Sequence, residues 1–195
     1  METYRLSKKS TLKFIPDFVK LTKEERESLY KQCPTKKHQI KIYDKYVDLP
    51  RYQQAYGKSY SYSGTTAKSK PMPEVIERIR DLIKEELYPN IDFNMCLVNW
   101  YNGGNHYIGQ HSDDEKKFIK NTPVVGITFC FGLPRKIVFK NKKTKKTVKD
   151  VWLYNNSLYS MEGEFQKEFT HGIPKVANKG CGRRVSLTFR CFREE

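Results

Sequence analysis

Asn99-Trp-Tyr101-Asn-Gly-Gly-Asn-His-Tyr-Ile-Gly-Gln-His111-Ser-Asp113-Asp-Glu115 is the stretch from which the rest of the chain is best read. It begins at the end of an apolar run, breaks at Gly103-Gly104, and resumes in an H-x-D pair. Residues two apart on a strand project from one face, so Asn99 points with Tyr101 and His111 with Asp113. From residue 91 onward the chain has one texture. Expected strands at Met95–Tyr101, Val124–Phe131, Lys136–Lys140, Thr147–Leu153, Ser157–Met161, Glu168–Gly172 and Arg183–Phe192 are mostly bounded by Gly, Pro or Asn. Short strands in series without intervening helices predict a sandwich or jelly roll.

The first ninety residues read differently. A short apolar strand is expected around Leu12–Val19, then a helix with Thr22 as N-cap, Glu24 and Glu25 in its first turn and a stop before Pro34. Residues 38–47 alternate apolar and polar. Tyr52, Tyr56, Tyr60 and Tyr62 follow among Gln, Gly and Ser. Such a set, with cations interleaved, suits a stacking surface better than a core. Pro71-Met-Pro73 opens an amphipathic helix carrying Val75, Ile76, Ile79, Leu82, Ile83 and Leu87 on one face and ending before Pro89. The chain is expected to be one domain over 1–195, with residues 1–90 as an N-terminal extension and supporting helices and 91–195 as the strand-rich core.

The 37 basic and 22 acidic residues leave a net charge of +15, a footprint of nucleic-acid binding. Lysines cluster at 140–149, the expected tip of a hairpin. The five cysteines are scattered without a C-x-x-C, which excludes a disulfide framework or zinc knuckle and predicts a reducing, intracellular setting. No apolar run approaches the length of a membrane span, so a soluble protein is expected.

An H-x-D pair alone specifies little; its company decides. His111 and Asp113, with the distant His171, offer two imidazoles and one carboxylate, a set that leaves coordination positions open on a non-haem iron. In Arg184-Val-Ser-Leu-Thr188-Phe-Arg190, Val185, Leu187 and Phe189 share one face while Arg184, Ser186, Thr188 and Arg190 share the other. Two guanidiniums on one face are costly to bury unless an anion meets them, and a dicarboxylate satisfies both.

Taken together, N-x-Y at Asn99/Tyr101, H-x-D-D-E at His111–Glu115, M-x-G-x-x-Q-x-x-x-x-H-x-I-P from Met161 to Pro174, and R-x-S-L-T-F-R at Arg184–Arg190 resemble AlkB-type Fe(II)/2-oxoglutarate dioxygenases. The resemblance implies a mainly β fold with flanking helices (α+β): a double-stranded β-helix, or jelly-roll, core with an N-terminal nucleotide-recognition lid. It implies Fe(II) on His111, Asp113 and His171. It also implies 2-oxoglutarate held by Asn99, Tyr101, Arg184, Thr188 and Arg190, with Arg184 on the distal carboxylate and Arg190 near the metal-chelating end. The implied reaction consumes O2 and removes N-linked methyl groups from nucleic-acid bases as formaldehyde, releasing succinate and CO2.

Leu49-Pro50-Arg51…Tyr56-Gly57 and Tyr60-Ser61-Tyr62-Ser63-Gly64 resemble the family's lid, most closely in the branch acting on double-stranded DNA. That likeness implies base contacts from Tyr62, which stacks, and from Tyr60, Asp114 and Glu115, with Arg51 in the same lid. It also implies a wedge at Ile42 and Tyr43, and a monomer acting on DNA rather than RNA. Asn156-Ser157 departs from the family's common Gly-Ser, and the run from Pro123 to Gly132 is longer than usual. Rival readings are an oxygenase acting on protein or small molecules, a non-catalytic nucleic-acid reader on the same fold, and a zinc-binding cupin-like protein.

Overall fold

The computed structural model describes residues 1–62, 65–177 and 180–193, with the side chains of Ile42 and residues 60–67 left out of the description. In chain order the strands are β1 (Glu2–Arg5), β2 (Ser10–Ile15), β3 (Gln39–Ile42), β4 (Lys45–Asp48), β5 (Tyr52–Tyr56), β6 (Tyr60–Tyr62), β7 (Thr65–Ala67) and β8 (Ser69–Lys70). They continue with β9 (Met95–Tyr101), β10 (Ile108–His111), β11 (Val124–Cys130), β12 (Arg135–Asn141), β13 (Thr147–Leu153), β14 (Ser157–Gly163), β15 (Phe169–Ile173) and β16 (Arg184–Arg190). Among the described residues three helices are interspersed: α1 (Lys23–Lys31), α2 (Glu74–Leu87) and the single turn α3 (Phe165–Glu168).

An eight-stranded sheet ordered β1-β2-β14-β11-β16-β9-β5-β8 faces a four-stranded sheet ordered β10-β15-β12-β13. This is the expected jelly roll. Alternation along each strand divides the apolar residues between two cores. Leu97, Val124, Ile137, Phe139, Met161 and Phe169 fill the space between the sheets. Val98, Trp100, Val125, Ile127, Val185, Leu187 and Phe189 face outward, where α1 and α2 cover them. Val75, Ile76, Ile79 and Ile83 of α2 are fully or nearly fully buried in that outer core, each side chain worth roughly 1.5–3 kcal/mol relative to exposure.

Helix α1 starts where the sequence predicts. The Thr22 hydroxyl accepts from the Glu25 amide at 3.2 Å while the Glu25 carboxylate accepts from the Thr22 amide at 2.8 Å, a reciprocal capping box. Arg78 of α2 donates to Glu25 at 2.7 Å, and the Trp100 indole donates to the Leu29 carbonyl at 2.9 Å, fixing both helices to β9.

The expected division at residue 90 is not a division of the sheets. Strands β1 and β2 extend the large sheet along β14, and β5 pairs with β9 along its whole length. Tyr56, expected on a recognition surface, is 2% exposed and packs in the outer core with its hydroxyl donating to Gln32 at 2.8 Å. Strands β3 and β4 form a separate hairpin turning at Tyr43-Asp44, with Tyr43 at φ +53° and almost wholly exposed. Asn156 adopts φ +66°, a left-handed conformation that Asn tolerates better than most non-glycine residues, so it serves where Gly is common.

Candidate active site

The two sheets enclose a cavity lined on one side by Asn99, Tyr101, Tyr159, Arg184, Ser186, Thr188 and Arg190, and on the other by Ile108, His111, Ile137 and the His171–Ile173 segment. About 420 Å³ of space lies within it and at its opening. Register explains the convergence. Antiparallel pairing of β9 with β16 sets Asn99 opposite Ser186 and Tyr101 opposite Arg184. Pairing of β10 with β15 sets His111 opposite His171.

His111, Asp113 and His171 bring one donor atom each within 4.8 Å of the others. His171 Nε2 lies 3.4 Å from Asp113 Oδ2, and His111 Nε2 lies 3.9 Å from Asp113 Oδ1. His111 Nδ1 is 2.9 Å from the Gly109 carbonyl, an acceptor that keeps the proton on Nδ1 and leaves Nε2 as the lone-pair nitrogen. Burial and the neighbouring His171 depress the His111 pKa to about 3, so the imidazole is neutral at ordinary pH. Burial alone would raise the Asp113 pKa, but Arg190 and the two histidines hold it below the usual carboxylate range. Asp113 Oδ2 is buried without a hydrogen-bond donor. Two imidazoles around an ionised carboxylate fit a divalent metal with open positions.

The facing strand fits an anion. Arg184 is 2% exposed; its Nη2 donates to Thr128 Oγ1 at 2.9 Å and its guanidinium lies 4.8 Å from the Tyr101 ring centre. Its Nε and Nη1 are buried with no hydrogen-bond partner. Arg190 donates to Asp113, joining this strand to the metal donors.

Other expected residues are placed elsewhere. Arg51 reaches inward: it is 5% exposed, donating to Asn99 Oδ1 at 2.8 Å and Gln53 Oε1 at 3.4 Å, because it enters β5 beside β9. It positions Asn99 and does not line the cavity. Asp114 and Glu115 also do not line it. They border a separate hollow with Lys120, Lys142, Lys167 and Arg193, where Asp114 pairs with Lys142 at 3.0 Å. The side chains of Tyr60, Tyr62 and Ile42, and residue Lys179, lie outside the described residues.

Three residues were given no role from sequence, although Gln166 belongs to the motif from Met161 to Pro174. Gln166 is 7% exposed and accepts from the Asp113 amide at 2.9 Å, fixing the turn that aims the carboxylate. Tyr159 lays its ring across Gly126: a Cβ there would come within 2.2 Å of the ring. The glycine inside the V-V-G-I-T-F run was the available signal, since a strand-interior Gly marks close approach. Arg135, the third, is described below.

The arrangement defines a class: a jelly roll presenting two histidines and a carboxylate to one side of a cavity and paired arginines to the other. The profile of the 2OG-Fe(II) oxygenase superfamily matches residues 11–190. The DNA oxidative demethylase ALKBH2 of Bos taurus is 32% identical over 161 residues, 77% of this chain and 56% of that protein. The Homo sapiens protein of the same name is 32% identical over 161 residues, covering 60% of its length. An RNA replication protein of Papaya mosaic potexvirus is 32% identical over 135 residues, 69% of this chain and 8% of that protein. The solved structure of OsALKBH1 superposes with a TM-score of 0.63 at 17% identity, covering 97% of this chain and 100% of that one, a likeness of fold. The chain therefore belongs to the 2OG-Fe(II) oxygenase superfamily and, within it, to the AlkB type. It spans about three-fifths of the length of the curated relatives it matches. No helix among the described residues is long and apolar enough to cross a membrane.

Proposed function

We propose that this chain is an Fe(II)- and 2-oxoglutarate-dependent oxidative demethylase of N-alkylated nucleic-acid bases, acting as a monomer with DNA as its main substrate. The observation that carries the reading is the opposition, across one cavity, of the His111/Asp113/His171 donors and the arginine-bearing face of β16. In this reading His111, Asp113 and His171 hold the iron. Arg184 takes the distal carboxylate of 2-oxoglutarate on its unpartnered nitrogens, Asn99, Tyr101 and Thr188 line the same site, and Arg190 steadies Asp113. When bound, iron would supply the oxidising chemistry by which one O2 converts 2-oxoglutarate into succinate and CO2 and the N-methyl group into formaldehyde, leaving the unmethylated base.

The chain's own work is positioning. A base must leave the stack to reach a cavity between sheets. In this reading Tyr43, exposed at the β3–β4 tip, fills the vacated stack, and Tyr60 and Tyr62 hold the flipped base. Asn141 Oδ1 accepts from the Lys143 and Thr144 amides, shaping a basic β12–β13 tip suited to phosphate contact. ALKBH2 of three mammals and the net charge support DNA. The viral relative supports a second reading, the same chemistry on RNA.

The test is mass spectrometry of methylated single- and double-stranded DNA and RNA oligonucleotides after incubation with Fe(II), 2-oxoglutarate and ascorbate. Base restoration with matching succinate release is expected, and its loss in Asp113→Ala with nucleic-acid affinity retained. Absence of methyl-dependent succinate release on every oligonucleotide would sink the proposal.

A further inference from the structure

We propose that Arg135 is a positioning residue for the anion end of the cavity, tying together the three segments that carry Tyr101, Ile108 and Ile173 and adding a second buried positive charge to that of Arg184. The inference rests on the reading that this cavity takes 2-oxoglutarate.

Arg135 opens β12 and is 2% exposed. Its Nη1 donates to the Gly103 carbonyl at 3.2 Å, and its Nη2 to the carbonyls of His106 at 3.0 Å and Pro174 at 2.6 Å. Each acceptor lies within two residues of a side chain that lines the cavity: Gly103 follows Tyr101, His106 precedes Ile108, and Pro174 follows Ile173. One guanidinium thus holds both ends of the Gly-rich loop and the exit of the His171 strand in fixed relation. A planar fork reaches three carbonyls at once; an ammonium has no such preset geometry.

The charge is equally unusual. All three acceptors are neutral, and no carboxylate of the described residues pairs with Arg135 or with Arg184. Burial first, and the charge of Arg184 second, lower the Arg135 pKa. Two buried cations without an internal anion are costly together, and an anion brought to Arg184 relieves both. The pair therefore favours a ligand with a charged distal end over an isosteric neutral one.

Two variants of the full chain, Arg135→Gln and Arg135→Lys, separate the roles. With Mn(II) bound, calorimetric titration compares 2-oxoglutarate with 2-oxopentanoate, which has a methyl in place of the distal carboxylate. Arg135→Gln is expected to bind 2-oxoglutarate roughly tenfold more weakly, with 2-oxopentanoate and Mn(II) affinity nearly unchanged. In turnover, KM for 2-oxoglutarate rises while kcat stays within about twofold. Arg135→Lys keeps the charge and hence the ligand preference, but hydrogen exchange at residues 102–107 accelerates in the metal-free protein. Wild-type ligand preference in Arg135→Gln, or an equal loss for both ligands, overturns the inference. If Arg135→Gln does not fold, unchanged exchange in Arg135→Lys overturns it alone. Failure of the wild-type protein to bind 2-oxoglutarate instead brings down the cavity reading beneath it.

Discussion

His111 and His171 sit directly opposite each other across the β10–β15 pair, with ring centres 4.3 Å apart. Two imidazoles this close cannot both be charged without strong repulsion, and burial penalises the first charge as well. The folded His111 pKa of about 3 lies below its unfolded value, which is about 6.5. The unfolded chain therefore binds this proton first as pH falls. The stabilisation is complete above the unfolded pKa and erodes by up to about 1.4 kcal/mol per pH unit between it and the folded value. Thermal denaturation of metal-free protein should show Tm falling from pH 7 to pH 5. His111→Leu should flatten that slope; an equally steep slope in the variant would contradict the account.

Gln166 supports the site from behind, through the Asp113 amide. Gln166→Leu keeps the volume and removes the acceptor. By analogy with residues that orient ligands elsewhere, metal affinity should fall about ten- to hundredfold. Competition against a chelator measures this, and unaltered affinity would remove Gln166 from the site.

Gly126 leaves room for the Tyr159 ring. Gly126→Ala should cost roughly 1–3 kcal/mol through overpacking and should weaken 2-oxoglutarate binding as the ring moves into the cavity. In a Tyr159→Val background the same change should cost far less, the signature of direct coupling. Additive losses in a denaturant-melt double-mutant cycle would argue otherwise.

Tyr43 holds a left-handed backbone at a hairpin tip while exposing its ring. Tyr43→Gly relieves that conformation, so stability should hold or rise by up to about 1 kcal/mol. Demethylation of duplex DNA should fall severalfold while single-stranded substrate is processed as before. Parallel losses on both substrates would remove the wedge role.

Much of this was legible in the sequence because strand alternation writes its two faces separately. Val185, Leu187 and Phe189 lie in the outer core and Arg184, Ser186, Thr188 and Arg190 line the cavity, as the period of two requires. The capping box at Thr22 was equally local. What escaped depended on distant partners. Arg135 bonds three carbonyls far from it in sequence, and no pattern near residue 135 announces them. Asp114 and Glu115 follow the iron motif directly in sequence, yet they border a different hollow from the one His111 lines, which only the folded chain shows. Tyr56 sat in a Tyr-rich run, yet its place on β5 turns it toward α1.

The pairing of β2 with β14 has a consequence for how the chain reaches its native state. Leu12 meets Met161 and Ser10 meets Gly163, so one strand waits for another made far later in the chain. Closing so long a loop carries a slow entropic cost, and contacts of this sequence separation go with folding in milliseconds to seconds. During synthesis, residues 10–15 emerge with their hydrogen-bonding edge unsatisfied, and the site-bearing strand β16 emerges later still. The large sheet can close only after β16 has left the ribosome.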